Sequence, residues 1–473
     1  MDFVSTRGGM QPASFGEILI EGLAPDGGLT VPVDLPRIAL WDIEAWRGLS
    51  YSELAAQVIM KFWTDIDPGD LEEITYNAYR NSFNSPEVVP VTELTSGFGL
   101  VGLSEGPTLA FKDMAMQFLG EAIPYVLKQT NSRLNIVGAT SGDTGSAAEY
   151  AFRSKPNVSV IMLSPKGRMS DFQRAQMYSL DDDNIHNIVI DGVFDDCQNL
   201  MKQLNADLDF KKQVALGAVN SVNLGRVVAQ SVYYFWAWLR ITDKMTEQKR
   251  AQTKVSFAVP SGNFGNVLSG LVAKQMGVPI NKLVVATNEN NVLHEFFSTG
   301  VYRPRSAADT HITSSPSMDI SKASNVERLI YDVLGRDPEK LLAAFKELDE
   351  TGVIDLSHEV SRFKDEFGIY SATSTHADRL RTIKEVFENT GVIIDPHTAD
   401  GVNAALAHRD DDEIMYVLET AKPQKFAETV IEAVGKPAEL TAAMEEMLTK
   451  PQKTVDMGVD IDALRDFVLE NAV

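Results

Sequence analysis

Cysteine, basic charge and long apolar runs are all scarce in this chain, and each scarcity closes off a class of function. A single cysteine in 473 residues cannot form an internal disulfide, which suits a reducing compartment. Cys197 has no reactive motif around it; it reads as a buried, inert thiol, with a nucleophile as the alternative. Lysine and arginine number 43 against 66 aspartate and glutamate, for a formal net charge of -23. Nucleic acid and anionic membrane surfaces both call for a basic footprint, so neither is an expected partner. A small anionic substrate stays open, because a few local cations override net charge. The longest apolar run, residues 232–239, is aromatic and ends at Arg240. It falls well short of the roughly 18 residues of a membrane span and predicts a buried helix. The 7 histidines are scattered, with no His-x-x-x-His or His-Glu-x-x-His pair, so no metal site is expected. Met1-Asp2-Phe3-Val4 has neither a basic segment nor an apolar stretch; no transit peptide and a cytoplasmic location are expected.

What remains is an ordinary globular composition, 44% hydrophobic and 23% charged, long enough for two or three domains around a large core. Its most informative stretch is Gly106-Pro107-Thr108-Leu109-Ala110-Phe111-Lys112-Asp113. Gly-Pro marks a turn, Thr-Leu-Ala an extended approach, and residues 114–119 have helical apolar spacing. Lys112 therefore sits at the mouth of a helix against apolar walls. Desolvation favours the uncharged amine, the form that condenses with an aldehyde. The ordinary alternative is a solvated lysine on a helix face.

Two glycine loops favour the first reading. Gly138-Ala139-Thr140-Ser141-Gly142-Asp143-Thr144-Gly145 follows a β-like run, residues 134–137, and opens a small-residue helix. Ser261-Gly262-Asn263-Phe264-Gly265-Asn266 follows another, residues 255–259, and holds no basic residue. A strand, a glycine loop and a helix N-terminus present free N–H groups to an anion. Neither loop is a nucleotide motif: no Gly-Lys-Ser/Thr occurs, and Gly-x-Gly-x-x-Gly fails at both places. Two anion loops and a pre-placed amine point to a cofactor with an aldehyde and a phosphate, pyridoxal 5′-phosphate.

With these motifs the chain resembles the threonine synthase family, fold-type II pyridoxal-phosphate enzymes of the tryptophan synthase β-like superfamily. The resemblance runs in order from Ser5-Thr6-Arg7-Gly8 and Gly22–Pro32 through the segments above. It continues to Ser315-Pro316-Ser317-Met318-Asp319-Ile320, Asn325-Val326-Glu327-Arg328, Asp395-Pro396-His397-Thr398-Ala399 and Thr420-Ala421-Lys422-Pro423-Gln424-Lys425-Phe426. It implies that Lys112 holds the cofactor covalently and moves protons. The amides of Gly262, Asn263, Phe264, Gly265 and Asn266 would hold its phosphate, and the Thr420 hydroxyl would meet the pyridine nitrogen, leaving that nitrogen largely unprotonated. Ser141, Gly142, Asp143 and Thr144 would bind the substrate carboxylate. The implied reaction takes O-phospho-L-homoserine and water to L-threonine and phosphate. A monomer is expected. Lys166, Arg168 and Arg226 are candidates for the leaving phosphate, with a surface ion pair as the alternative for each. Ser317 and Asp319 are either pocket residues or a structural turn, and His397 is either functional or a structural histidine near a helix start. Three positions depart from the family pattern: Glu105 and Lys422 stand where histidines are usual, and Leu224-Gly225 where Trp-Ala is usual.

Alternation of strands and helices predicts an α/β protein with two open parallel-sheet domains and a helical N-terminal region. The expected boundaries are 1–92, 93–220 with Lys112 and the Ser-Gly-Asp-Thr-Gly loop, and 221–473 with the phosphate loop and C-terminal helices. The N-terminal region should carry a hairpin turning at Asp26-Gly27-Gly28 and helices over 51–62 and 71–83. Further strands are expected at 158–163, 188–190, 283–287 and 414–418. The acidic segment after Gly435 should pack on the outside of the second domain. Two other functions compete: a phospho-lyase or hydroxy-amino-acid dehydratase that eliminates without rehydration, and a non-catalytic pyridoxal-phosphate-binding module.

Overall fold

The computed structural model describes residues 1–140, 142–167, 169–217 and 221–473. Two open sheets organise the chain. The five-stranded sheet is parallel throughout, in the order Val455–Met457, Ile185–Ile190, Val158–Pro165, Leu134–Ala139, Leu216–Gly217. The six-stranded sheet runs Ile369–Thr373, Ile280–Thr287, Val255–Pro260, Met415–Glu419, Phe98–Gly102, Val91–Thr95. Only its last pair is antiparallel. Parallel strands covered by helices on both faces carry continuous apolar runs rather than alternation, and Val158–Pro165, Val255–Pro260 and Met415–Glu419 are buried at every position.

The sheets do not divide at residue 220. Phe98–Gly102 pairs in parallel with Met415–Glu419 in the six-stranded sheet, although it lies inside the expected 93–220 unit. Val455–Met457 crosses the other way and pairs with Ile185–Ile190. Periodicity identifies an apolar strand but not the sheet it will join. For the same reason the segment after Gly435 packs elsewhere than expected. Helix Ala442–Thr449 lies on Asp171–Tyr178, and helix Ile461–Asn471 lies on Phe194–Ala206, both against the five-stranded sheet.

The N-terminal region is helical as its caps dictate. Ser14 with Glu17 and Ser50 with Glu53 form reciprocal capping boxes at Phe15–Glu21 and Tyr51–Ile59. Asp67 caps Pro68–Tyr79. The expected hairpin at Asp26 is absent. Phe3–Ser5 and Thr30–Pro32 do pair antiparallel, but helix Phe15–Glu21 lies between them, and Asp26 instead ties the loop together, accepting from Gly28 N, Gly9 N and Ser5 Oγ. Helix Leu224–Thr242 contains the segment 232–239 expected to be a buried aromatic helix. Its residues 224–239 are all buried, and it packs on the Lys112–Gln129, Gly265–Met276 and Tyr51–Ile59 helices. Among the described residues, no helix is long and apolar enough to cross a membrane.

Candidate active site

Lys112 is the first residue of helix Lys112–Gln129. The turn before it is locked by the helix itself: the buried Asp113 carboxylate accepts from Thr108 N at 2.8 Å and Thr108 Oγ1 at 2.7 Å. Burial nevertheless lifts the Asp113 carboxyl to about 6. The approach is also pinned from the six-stranded sheet. Phe111 N donates to Thr420 O at 2.9 Å, and Ala110 bridges Ala421. Thr420, just past the end of Met415–Glu419, is thereby fixed beside Lys112, and its hydroxyl takes no partner among the described residues.

The Lys112 amine makes no hydrogen bond among the described residues. Its side chain is 15% exposed, and its closest charge is Asp143 Oδ2 at 3.9 Å. Burial brings its pKa down to about 8; Asp143 opposes the shift, while Lys425 and Arg226 add to it. Asp143 opens helix Asp143–Phe152 from Gly142, whose φ of 134° only glycine adopts without strain. Burial alone would raise the Asp143 carboxyl, but Lys425 and Lys112 hold it well below the usual carboxylate range. It accepts from Lys425 Nζ at 2.7 Å, Ser317 Oγ at 2.8 Å and Gln173 Nε2 at 3.2 Å. The Gly142 amide is not available to a ligand, since it donates to Thr140 Oγ1 at 3.0 Å, as does Gly145 N at 2.9 Å. The amides of Asp143 and Thr144 lie in the helix's first turn, where intrahelical acceptors are lacking.

The second loop sits against the first through the Ser317 turn. A Cβ on Gly262 would meet Ser317 O at 3.1 Å and Ile320 Cγ1 at 2.7 Å, so only glycine permits this approach. Phe264 is left-handed at φ 65° just before helix Gly265–Met276. Such a residue before a helix start turns successive amides toward one point, at a strain of about 1–3 kcal/mol. Among the described residues, the amides of Gly262, Asn263, Phe264, Gly265 and Asn266 have no backbone acceptor. The buried Ser261 Oγ and Asn266 Nδ2 are also without partners. This surplus of donors without a cation fits a phosphate, and the unbonded, desolvated amine of Lys112 fits an aldehyde.

Of the three cations considered for a leaving phosphate, Arg226 is in the site. It is 3% exposed, its Nε and Nη1 have no partner among the described residues, and its charge is felt by Lys112. Lys166 is 60% exposed and pairs with Asp456 at the surface, the alternative reading. Arg168 and Ser141 lie outside the described residues. Ser317 lines the site, whereas Asp319 is a turn clamp, accepting from Thr313 N, Thr313 Oγ1, Asn288 and Asn290. His397 is buried beside Asp395, with Nδ1 to Oδ1 at 2.7 Å, and Nε2 accepts from Ser317 N at 3.1 Å. It holds the Ser317 turn rather than meeting a ligand. Cys197 is buried, and its thiol is pushed up to about 11 by burial, as an inert thiol should be.

Two of the departures from the family pattern meet in space: Lys422 Nζ lies 2.5 Å from Glu105 Oε1 and 3.1 Å from Glu419 Oε2. The pair replaces histidines by an ion pair beside Thr420. At the third, a Cβ on Gly225 would meet Leu19 Cδ2 at 2.2 Å, so the N-terminal helix occupies the room. Sequence reasoning passed over Lys425, whose side chain is fully buried and whose Nζ also donates to Thr108 O at 2.8 Å. It lay inside a quoted motif, but nothing local marks which lysine of Lys422 and Lys425 turns inward.

Family models described as threonine synthase N terminus, pyridoxal-phosphate dependent enzyme, and threonine synthase, C-terminal match residues 2–79, 103–357 and 398–468. The chain is 50% identical to a threonine synthase of Corynebacterium glutamicum over 99% of its own length and 98% of that protein's. It is 48% identical to one of Methylobacillus glycogenes, with 100% of both chains covered. Among solved structures, a PLP-bound threonine synthase from Brucella melitensis superposes with a TM-score of 0.95 at 38% identity, covering 100% of this chain and 99% of that one.

Proposed function

The chain belongs to the threonine synthase family, and from that premise we propose how its residues divide the work of a pyridoxal-phosphate-dependent lyase that makes L-threonine and phosphate from O-phospho-L-homoserine and water. The observation that carries the reading is the Lys112 amine: desolvated, free of hydrogen bonds among the described residues, and 3.9 Å from the Asp143 carboxylate. The amides of residues 262–266 hold the cofactor phosphate, and the Thr420 hydroxyl meets its ring nitrogen. When bound, the cofactor supplies the electron sink that makes the substrate carbons acidic. Lys112 Nζ carries the protons, because a pKa of about 8 lies near working pH, where one group both takes and returns a proton efficiently. Asp143, kept anionic by Lys425, holds that amine in place. The first-turn amides of Asp143 and Thr144 take the substrate carboxylate, and Arg226, with unspent donors, takes the substrate phosphate. Ser141 and Arg168 keep their substrate-binding assignments on the family resemblance alone.

A cytoplasmic setting is what we infer from the lone buried cysteine, and the monomer rests on the family resemblance alone. The test is borohydride reduction of the holoenzyme followed by mass spectrometry. The expected pyridoxyl tag is on Lys112, and Lys112→Ala is expected to lose both the tag and threonine formation. A tag on Lys425, the other buried amine of the site, would overturn the assignment. 2-Oxobutyrate in place of threonine would favour the dehydratase.

A further inference from the structure

Asn266 is the second residue of helix Gly265–Met276 and is 3% exposed. Its carboxamide oxygen is held from outside the loop. Tyr233 OH donates to Oδ1 at 2.6 Å, and Tyr234 OH lies 3.0 Å from Oδ1 and 2.9 Å from Asn266 O. Both tyrosines are fully buried neighbours on helix Leu224–Thr242, with ring centroids 5.1 Å apart. Burial pushes both phenols well above their ordinary range, so they remain donors at any working pH. Gln230 stands beside the Tyr233 hydroxyl. The Tyr233 proton on Oδ1, with the single Tyr234 proton shared between Oδ1 and Asn266 O, sets which way the amide faces, an orientation otherwise open to a flip. Nδ2 is thereby turned away from the tyrosines, and it is buried without a partner. An unmet buried donor carries an uncompensated desolvation cost, which a ligand that accepts from it would offset.

We propose that Tyr233 and Tyr234 are positioning residues that aim the Asn266 side-chain amide at the cofactor phosphate, adding a side-chain donor to the main-chain amides of the loop. Arg226 lies on the same helix toward its N-terminus, within electrostatic reach of Tyr233. One buried helix thus presents a donor to the substrate's phosphate and orients a donor to the cofactor's. The inference rests on the reading that residues 262–266 take the cofactor phosphate.

The test compares pyridoxal phosphate with pyridoxal, which lacks the phosphate, as ligands for the apoprotein, by absorbance titration. Tyr233→Phe with Tyr234→Phe keeps both rings and removes only the hydroxyls. The double variant is expected to bind pyridoxal phosphate about tenfold more weakly, equivalent to about 1.4 kcal/mol, and pyridoxal as the parent does. Asn266→Ala is expected to give a similar selective loss, and adding both Tyr→Phe changes to it should cost nothing more. Pyridoxal-phosphate affinity within twofold of the parent in the double variant would overturn the proposal. So would equal weakening of both ligands, or a full additive loss in the triple variant, since either would mean the tyrosines act through packing. If the parent itself binds the two ligands equally, the phosphate-loop reading fails instead, and the two failures are distinguishable.

Discussion

Lys112 and Lys425 stand on opposite sides of one carboxylate with opposite surroundings. Lys425 Nζ donates to Asp143 and Thr108 O, while Lys112 makes no hydrogen bond among the described residues. The uncharged form of Lys112 reacts with an aldehyde, so capture of pyridoxal phosphate by the apoprotein should rise with pH up to about 8 and level off above it. Lys425 helps keep that point low. Lys425→Met removes a neighbouring positive charge and leaves Asp143 uncompensated, and both changes favour protonated Lys112. The capture profile should move about one unit alkaline, roughly tenfold slower at pH 7. A buried charge left alone should also lower stability by about 3–5 kcal/mol, and adding Asp143→Asn should restore much of it. Stopped-flow absorbance across pH 6–10 reads the first effect and thermal melting the second; an unshifted profile would remove Lys425 from the tuning of Lys112. At this scale the sequence made Lys112 and both loops legible, because glycine, turn and strand signals lie within a few residues of one another. Lys425, Tyr233 and Tyr234 were not legible, because their meaning comes from partners far along the chain.

Between elements, helix Leu224–Thr242 packs on helices from separate stretches of the chain, and at its N-terminal turn one of them comes very close. Gly225 accepts helix Phe15–Glu21 so closely that a methyl group would fall 2.2 Å from Leu19 Cδ2. Gly225→Ala should therefore destabilise by about 1–3 kcal/mol through overpacking, despite alanine's better helix propensity. Leu19→Ala should cost about 2–5 kcal/mol as a cavity. The double variant should cost less than the sum, since each change relieves the other; denaturant melts of the three proteins measure this coupling, and strict additivity would mean that the helices do not meet there. Elements with strong local signals were read closely: the strands at 134, 158 and 255 start where expected. Ile369–Thr373 and Val455–Met457 were missed. Both are edge strands with polar, partly exposed residues, and an edge strand has no apolar run to announce it.

In the whole molecule, the chain passes between the two sheets three times, and the last passage brings its end against the strand that carries the site's first loop. Val455–Met457 covers the edge of Ile185–Ile190, and Leu464 and Val468 are fully buried in the apolar layer beneath that sheet. Val473 N donates to Asn135 Oδ1, whose amide holds Val214 O at 2.6 Å. Asn135 lies in Leu134–Ala139, the strand that delivers Thr140 and Asp143. Truncation after Pro451 should thus strip about 3–6 kcal/mol of apolar burial at Leu464 and Val468 alone. It also bares a parallel edge strand that invites self-association. The melting temperature should fall by several degrees and the scattering mass should rise with concentration. The phosphate loop belongs to the other sheet, so whatever fraction remains folded should keep most of its affinity for pyridoxal phosphate while losing turnover. A truncated protein that keeps the parent's melting temperature and stays monodisperse would show that the tail only covers the sheet; one that loses cofactor affinity first would show that the two sheets are coupled more tightly than their separate cores imply.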